Sequence, residues 1–255
     1  LVFGFIFIRI QISRNRSGKP VLLDLSLLSI NSFRNGNIAA AIISLGEFGL
    51  IFALPLWLQN VRGYSAFDTG LILLSLAIGS FVASGAGAGM TAKLGAAKIV
   101  QIGIALELLG VLAIGLVISP TVAIWQLAVA LFIYGMGVGL ATAQLTGVIL
   151  VDVPVERSGQ ASGMQSTSRQ LGSALGIAIL GSVLFSSFSK ELGNIPQAKP
   201  LVKSAGSLIN QMPLDVKQLA SSAFSTAAAN SAYIAAAFLF IGFLATFSLG
   251  SSRSK

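Results

Sequence analysis

From Asn37 to Leu58 the sequence NIAAAIISLGEFGLIFALPLWL is apolar from end to end except for one acid near its middle, Glu47. At a rise of ~1.5 Å per residue, a helix of this length covers roughly the ~30 Å of a bilayer's hydrocarbon core, which puts the carboxylate close to the midplane. A charge at that depth costs on the order of 2.5–3.5 kcal/mol on insertion scales, so such a residue normally faces a protein interior or a wet cavity and is tied to function. What surrounds Glu47 therefore decides what the chain does.

Hydrophobic residues make up 55% of the 255 and charged residues 9%, with a mean hydropathy of +0.87. No water-soluble globular domain sustains that balance at this length. The apolar residues come in long runs and not in ten-residue alternating segments, so the expected fold is an all-α membrane protein, a six-helix transmembrane bundle. There are no cysteines and no histidines, which removes disulfides, thiolate or imidazole metal sites, and catalysis through Cys or His. No G-x-x-x-x-G-K-[ST] phosphate loop is present. Gly135, Gly137 and Gly139 lie inside an apolar run and not after a strand, so neither an ATP-driven pump domain nor a dinucleotide site is expected. The net charge of +8 is spread over membrane-flanking loops, with no soluble domain to carry a basic patch, so nucleic acid is not an expected partner. Neither enzymatic activity nor a metal or cofactor is expected.

The chain opens on LVFGFIFI, too short to span and running directly into basic RIQISRNRSGK. A signal peptide would place its charges before the apolar region. Residues 1–8 therefore read as the end of a truncated transmembrane helix, and the chain as a C-terminal fragment of a longer polypeptide. Residues 9–36 form a basic loop in which the interrupted, leucine-rich PVLLDLSLLSINSF lies on the membrane surface. Residues 37–255 form the six-span bundle. Its spans are expected at 37–58, 69–90, 99–118, 123–145, 161–185 and 230–249, with an external loop over 186–229 and a helix beginning after Pro213. Basic residues in short loops set orientation. Arg9, Arg14, Arg16, Lys19, Arg34, Lys93, Lys98, Arg157, Arg253 and Lys255 fall on one side, and the opposite short loops carry only Arg62. The first side, with the C-terminus, is expected to be cytoplasmic.

Three ionisable residues fall inside the spans: Glu47, Glu107 near the centre of the third, and Arg169 in the unusually polar first half of the fifth, SGMQSTSRQLGS. Burial in low dielectric disfavours a charged carboxylate and a nearby guanidinium favours it. A site balanced between these terms loads and releases a proton, as coupling to a proton gradient requires. Glu47 is the first candidate and Glu107 the second. The alternative for either is a carboxyl hydrogen-bonded to a neighbouring helix in a purely structural role. For Arg169 the alternatives are a fixed ion pair, snorkelling to the headgroups, or a place in a polar cavity where it binds anionic groups or tunes a carboxylate. Thr142, Gln144, Gln165 and Ser166 are candidate cavity liners, although serines and threonines in spans often only bond back to their own helix. The glycine runs read as packing devices.

FALPLWLQNVRGYSAFDTGLILL, GMTAKLGAAK and above all VPVERSGQASGMQSTSRQLGSALGIAILGSVLF resemble the C-terminal half of the fourteen-span drug:proton antiporters of the major facilitator superfamily. The resemblance covers essentially the whole chain, and Val153–Phe185 is its most specific part. It implies one of two six-helix bundles, with substrate held near the midplane between them and rocking to give alternating access. The implied function is proton-coupled export of lipophilic, often cationic, drugs across a bacterial inner membrane. The implied partners are protons, the small-molecule substrate, the bilayer and the N-terminal half of the same polypeptide. Carried over, Glu47, Glu107 and Arg169 become proton or substrate sites. The loop between the second and third spans corresponds to the family's inner gating motif, with Lys93, Gly95 and Lys98 retained. Ala92 stands where that motif has an acid and Ala88 where it has its first glycine. Two alternatives remain: an exporter of an endogenous lipid, siderophore or antibiotic, with Arg169 meeting an anionic headgroup, and a non-transporting scaffold or sensor.

Overall fold

The computed structural model describes residues 24–247, together with Ile6, Arg9, Ile10, Gln11, Arg14 and Val21. Most of the 1–8 stub, much of the basic 9–23 stretch, and the C-terminal Arg253 and Lys255 lie outside the described residues. Among the described residues there is no strand, and six helices are long and apolar enough to cross a membrane. They are α1 (Asn31–Asn60), α2 (Ala66–Leu94), α3 (Ala96–Val117), α4 (Ile124–Leu150), α5 (Ser158–Leu192) and α7 (Leu214–Thr246), with a short α6 (Ala198–Lys203) between the last two.

Local chemistry explains the helix ends. Ser65 opens α2: its hydroxyl accepts from the Asp68 N–H at 3.0 Å and donates to the Asp68 carboxylate at 2.7 Å, which satisfies one orphan donor of the first turn. Gly95, at φ +82°, turns α2 directly into α3 in a conformation that favours glycine. Pro213 stands just before α7, where a missing N–H costs nothing. On the same side of the bundle, Arg62 donates to the carbonyl of Pro120, tying the α1–α2 turn to the α3–α4 turn.

Helix α1 packs against α5, α7 and, less extensively, α4; α4 packs against α3 and α2; α3 closes the ring on α7. Glycines make the closest of these contacts. Gly172 and Gly176 of α5 lie against the backbone of Ala41 and Leu45 on α1, where a Cβ on either would run into a carbonyl oxygen, and Gly49 of α1 receives Leu180 in return. The α4 run YGMGVGL is two-sided. Gly135 and Gly139 press on the α2 backbone at Leu76 and Ser80, while Gly137 presses on Glu107 of α3. Without a hydrophobic force between helices in lipid, such close backbone approach supplies the packing energy.

The two ends of the bundle differ. At the end where α5 finishes, the 186–229 stretch is a folded cap: α5 continues to Leu192, α7 already starts at Leu214, and Leu201, Ile209 and Phe224 are buried. The Phe188 and Phe224 rings meet edge-on with centroids 4.9 Å apart. The Asn60 amide donates to the Ala205 carbonyl at 2.8 Å and the Asn210 amide to the Asn60 carbonyl at 3.0 Å, so the cap is stitched to the end of α1. At the opposite end a 3-10 turn over Leu25–Ser29 is docked on the bundle with Leu27 buried. Arg157 holds it, pairing with Asp24 at 3.1 Å and donating to the Ser26 hydroxyl at 3.0 Å, while the Gln160 amide donates to the Val21 carbonyl at 2.7 Å.

Gly176→Val is expected to force α5 off α1, with a loss on the order of 1–3 kcal/mol as for other overpacked contacts. It should lower the melting temperature in detergent. Gly70→Ala, which meets open space inside α2, should not lower it, and equal melting of the two variants contradicts the contact.

Candidate functional site

Glu47 lies inside the bundle, 3% exposed, on the stretch of α1 that faces α5. The Arg169 guanidinium places Nη2 3.8 Å from the Glu47 carboxylate and Nε 3.4 Å from the Ser44 hydroxyl. Helix register gives this contact a direction. Gly172 sits beside Ala41 and Gly176 beside Leu45, so the Arg169 backbone is level with about Ile38. Its guanidinium nonetheless meets residues six and nine positions further along α1. The side chain thus runs along the parallel helices away from the Ser158 end of α5 and into the bundle, opposite to the path a snorkelling arginine takes to headgroups.

Beside the pair lies a cavity of about 340 Å³. Helix α5 contributes Gln165, Ser166, Arg169, Gln170 and Ser173, α4 contributes Thr146, and α1 contributes Phe48. From Gln165 to Ser173 is eight steps, roughly 12 Å of helix at ~1.5 Å per residue, so the cavity covers part of the half of α5 nearest Ser158. The Gln165 amide donates to the Thr146 hydroxyl at 2.9 Å, bridging α4 and α5 across the cavity wall. Glu47 does not line it. Arg169, with 29% of its side chain exposed, stands between the carboxylate and the open space.

Glu107 is fully buried at the α3–α4 seam against Gly137, and neither carboxylate oxygen has a hydrogen-bond partner among the described residues. It lies within electrostatic range of Glu47 and Arg169. Tyr134, also fully buried, sits near both acids and directs its hydroxyl at the Glu47 backbone carbonyl across a long 3.5 Å. The structure therefore brings the ionisable side chains of Glu47 and Arg169 together from two helices, with Glu107 of a third in electrostatic range of both.

Of the other residues singled out from the sequence, Gln165 and Ser166 line the cavity, whereas Thr142 and Gln144 are half-buried on α4 outside it. Lys93, Gly95 and Lys98 are exposed at the α2–α3 turn, away from the charged group. Several hydroxyls of α5 bond back to their own helix: Thr167 to the Gly163 carbonyl at 2.9 Å, Ser168 to Met164 at 3.1 Å, and Ser173 to Arg169 at 2.8 Å. Sequence reasoning missed Ser44, Tyr134, Thr146, Gln170 and Ser173. Ser44 lies three residues before Glu47, on the same helix face, and that spacing was the available signal.

The Major Facilitator Superfamily model matches residues 2–177. Over 169 residues the chain is 32% identical to the multidrug resistance protein Stp of Mycobacterium tuberculosis, covering 66% of this chain and 31% of that protein. It is 28% identical over 196 residues to the multidrug efflux pump LfrA of Mycolicibacterium smegmatis, covering 77% of this chain and 38% of the pump. It is 30% identical over 185 residues to a probable actinorhodin transporter of Streptomyces coelicolor, covering 70% and 32%. The chain thus spans about a third of the length of these curated relatives.

If Arg169 and Glu47 hold one another, a double-mutant cycle of Arg169→Gln and Glu47→Gln read by thermal melting should give a coupling of about 0.5–3 kcal/mol, the range for residues in contact. The low end is expected because the guanidinium is part-exposed. Strict additivity would mean that the two charges do not interact.

Proposed function

The chain belongs to the Major Facilitator Superfamily, and on that premise we propose that it is one six-helix half of a proton-coupled exporter of small lipophilic compounds. The observation that carries this reading is a buried carboxylate paired with an arginine that itself borders a polar cavity. Glu47 is the proton site. Its partner is held at 3.8 Å, too long for a hydrogen bond, so the pair is loose enough to part when the carboxylate takes up a proton. Loss of that charge frees Arg169 to move within the cavity, which links the protonation state to what the cavity can hold. Glu107, buried without a hydrogen-bond partner and within range of both, is the second acidic site.

Relatives named as a multidrug resistance protein and a multidrug efflux pump support export of drug-like compounds. The share of those relatives that the chain spans fits a second bundle elsewhere in a fourteen-span polypeptide, with the cavity facing it. The membrane is a bacterial inner membrane, and the side carrying Lys93, Lys98 and Arg157 is cytoplasmic, as the distribution of basic residues suggests. The proton gradient is the energy source and no cofactor takes part.

In the full-length protein reconstituted into vesicles, Glu47→Gln should reduce proton-driven dye efflux to the background of empty vesicles. Transport at the wild-type rate removes Glu47 from the mechanism. These 255 residues contain no cysteine, so orientation is testable as well once any cysteine elsewhere in the full-length protein is replaced by serine. Lys98→Cys should react with a membrane-impermeant maleimide only from the cytoplasmic side, and Gln197→Cys only from outside. Labelling of both from one side contradicts the orientation.

A further inference from the structure

Resting on the transport reading, in which Glu47 is the proton site, we infer that Glu107 is a neutral carboxyl that keeps its proton while Glu47 loads and releases. The tight seam between α3 and α4 holds it in place, so one of the two acids of this bundle exchanges protons and the other does not.

Residue spacing builds the seam. Gly103, Glu107 and Gly110 are four and three residues apart, on one face of α3. Opposite them on α4 stand Ala141, Gly137 and Tyr134, again four and three apart and in reverse order, as antiparallel helices require. A Cβ on Gly103 would run into the backbone of Ala141 and the carbonyl of Gly137, and a Cβ on Gly110 into the backbone of Tyr134. Between these two contacts, a Cβ on Gly137 would meet the backbone N and the Cγ of Glu107. The stem of the acid is therefore clamped where two helix backbones touch. Its carboxyl is fully buried, and neither oxygen has a hydrogen-bond partner among the described residues. This chain alone covers Glu107 completely, so a second bundle brings no side chain to it in this conformation.

The surrounding charges favour the neutral form. Glu47 of α1 and Arg169 of α5 lie within electrostatic range, but the guanidinium is already directed at Glu47, at 3.8 Å, and at the Ser44 hydroxyl, at 3.4 Å. From α4 the one titratable side chain is Tyr134. Helix α7 brings Tyr233, which turns to Gly115 eight residues along α3, and carries Asp215 and Lys217 near its start. Asp68 and Lys93 lie at the ends of α2, and Lys98 is exposed at the start of α3 itself. One guanidinium against two carboxylates leaves one acid without a counter-charge. An unpaired neutral group costs some stability, and an unpaired buried charge costs far more. A charge on Glu107 would also set like against like with Glu47. The ion-pair geometry therefore gives the charge to Glu47 and the proton to Glu107. Access differs in the same sense, because Glu47 is separated from the cavity only by Arg169, whereas Glu107 lies in the α3–α4 seam and lines no part of it. Proton uptake by Glu47 alone then frees Arg169, as the exchange of protons for substrate requires.

Infrared spectroscopy reads the two acids apart, because a neutral carboxylic acid shows a C=O stretch that a carboxylate lacks. The full-length protein is placed in lipid with 13C in its glutamate carboxyls. The wild type should show a labelled C=O band that persists from mildly acidic to mildly alkaline buffer and shifts only slowly in D2O, and Glu107→Gln, which keeps the shape of the side chain, should lose that band. Should Glu107→Gln fail to fold, Glu107→Asp serves instead: it takes the residue out of the labelled set and should carry the band back to its unlabelled position. The band lost in Glu47→Gln should by contrast come and go with pH. A Glu107 band that fades as the buffer turns alkaline or shifts at once in D2O overturns the inference, and so does a spectrum from which neither Glu107 variant removes a labelled band. Failure of the transport reading is seen separately, as wild-type efflux by Glu47→Gln.

Discussion

An arginine directed into the middle of a membrane bundle has no water to solvate it, so it needs a counter-charge or a wet cavity within reach. Arg169 has both. Glu47 lies on one side of it and a polar cavity on the other, and neither arrangement is possible unless α5 lies close along α1. That closeness comes from Gly172 and Gly176, whose missing side chains let the α5 backbone rest on the carbonyls of Ala41 and Leu45. The glycines begin three residues after the arginine. Packing, register and electrostatics are thus set within two turns of one helix.

The two ends of the bundle place the pair in a mechanical context. At the end of α5 near Leu192, α1, α5 and α7 are held by the Phe188–Phe224 ring contact, by the Asn60 hydrogen bonds to the cap, and by the Trp57 indole donating to Ser225 at 2.8 Å. Towards Ser158, α1, α4 and α5 line the cavity, and α4 and α5 meet there through the hydrogen bond from Gln165 to Thr146. One end is closed by ring packing and side-chain hydrogen bonds, whereas the polar cavity beside Arg169 lies in the half nearer Ser158.

Much of this was legible in the sequence. Long apolar runs marked every span, and a lone acid in the first marked the charged site. Helix ends were less legible, because hydropathy measures the part that sits in lipid and not the helix. Helix α1 starts at Asn31, through Arg34 and Asn35, well before the apolar run from Asn37. Helix α7 starts at Leu214, where LDVKQLASSAF is too polar to read as a span, yet Ala220, Ala223 and Phe224 are buried within it. The cavity list shows the same limit. Thr142 and Gln144, two residues apart on one helix, point about 200° apart and cannot share a wall, whereas Thr146, one turn beyond Thr142, reaches Gln165. The direction of the Arg169 side chain was beyond the sequence altogether, since it depends on the register between two helices whose residues lie more than a hundred positions apart.

The most direct measurement of the central claim is solid-state NMR on the protein in lipid bilayers, with 15N in the arginine guanidinium groups and 13C in the glutamate carboxyls, assigned through Arg169→Lys and Glu47→Gln. The account predicts a 15N–13C dipolar contact between Arg169 and Glu47 and no 15N–31P contact from Arg169 to the lipid phosphates. An Arg169 signal coupled to phosphorus and not to the Glu47 carboxyl would contradict it.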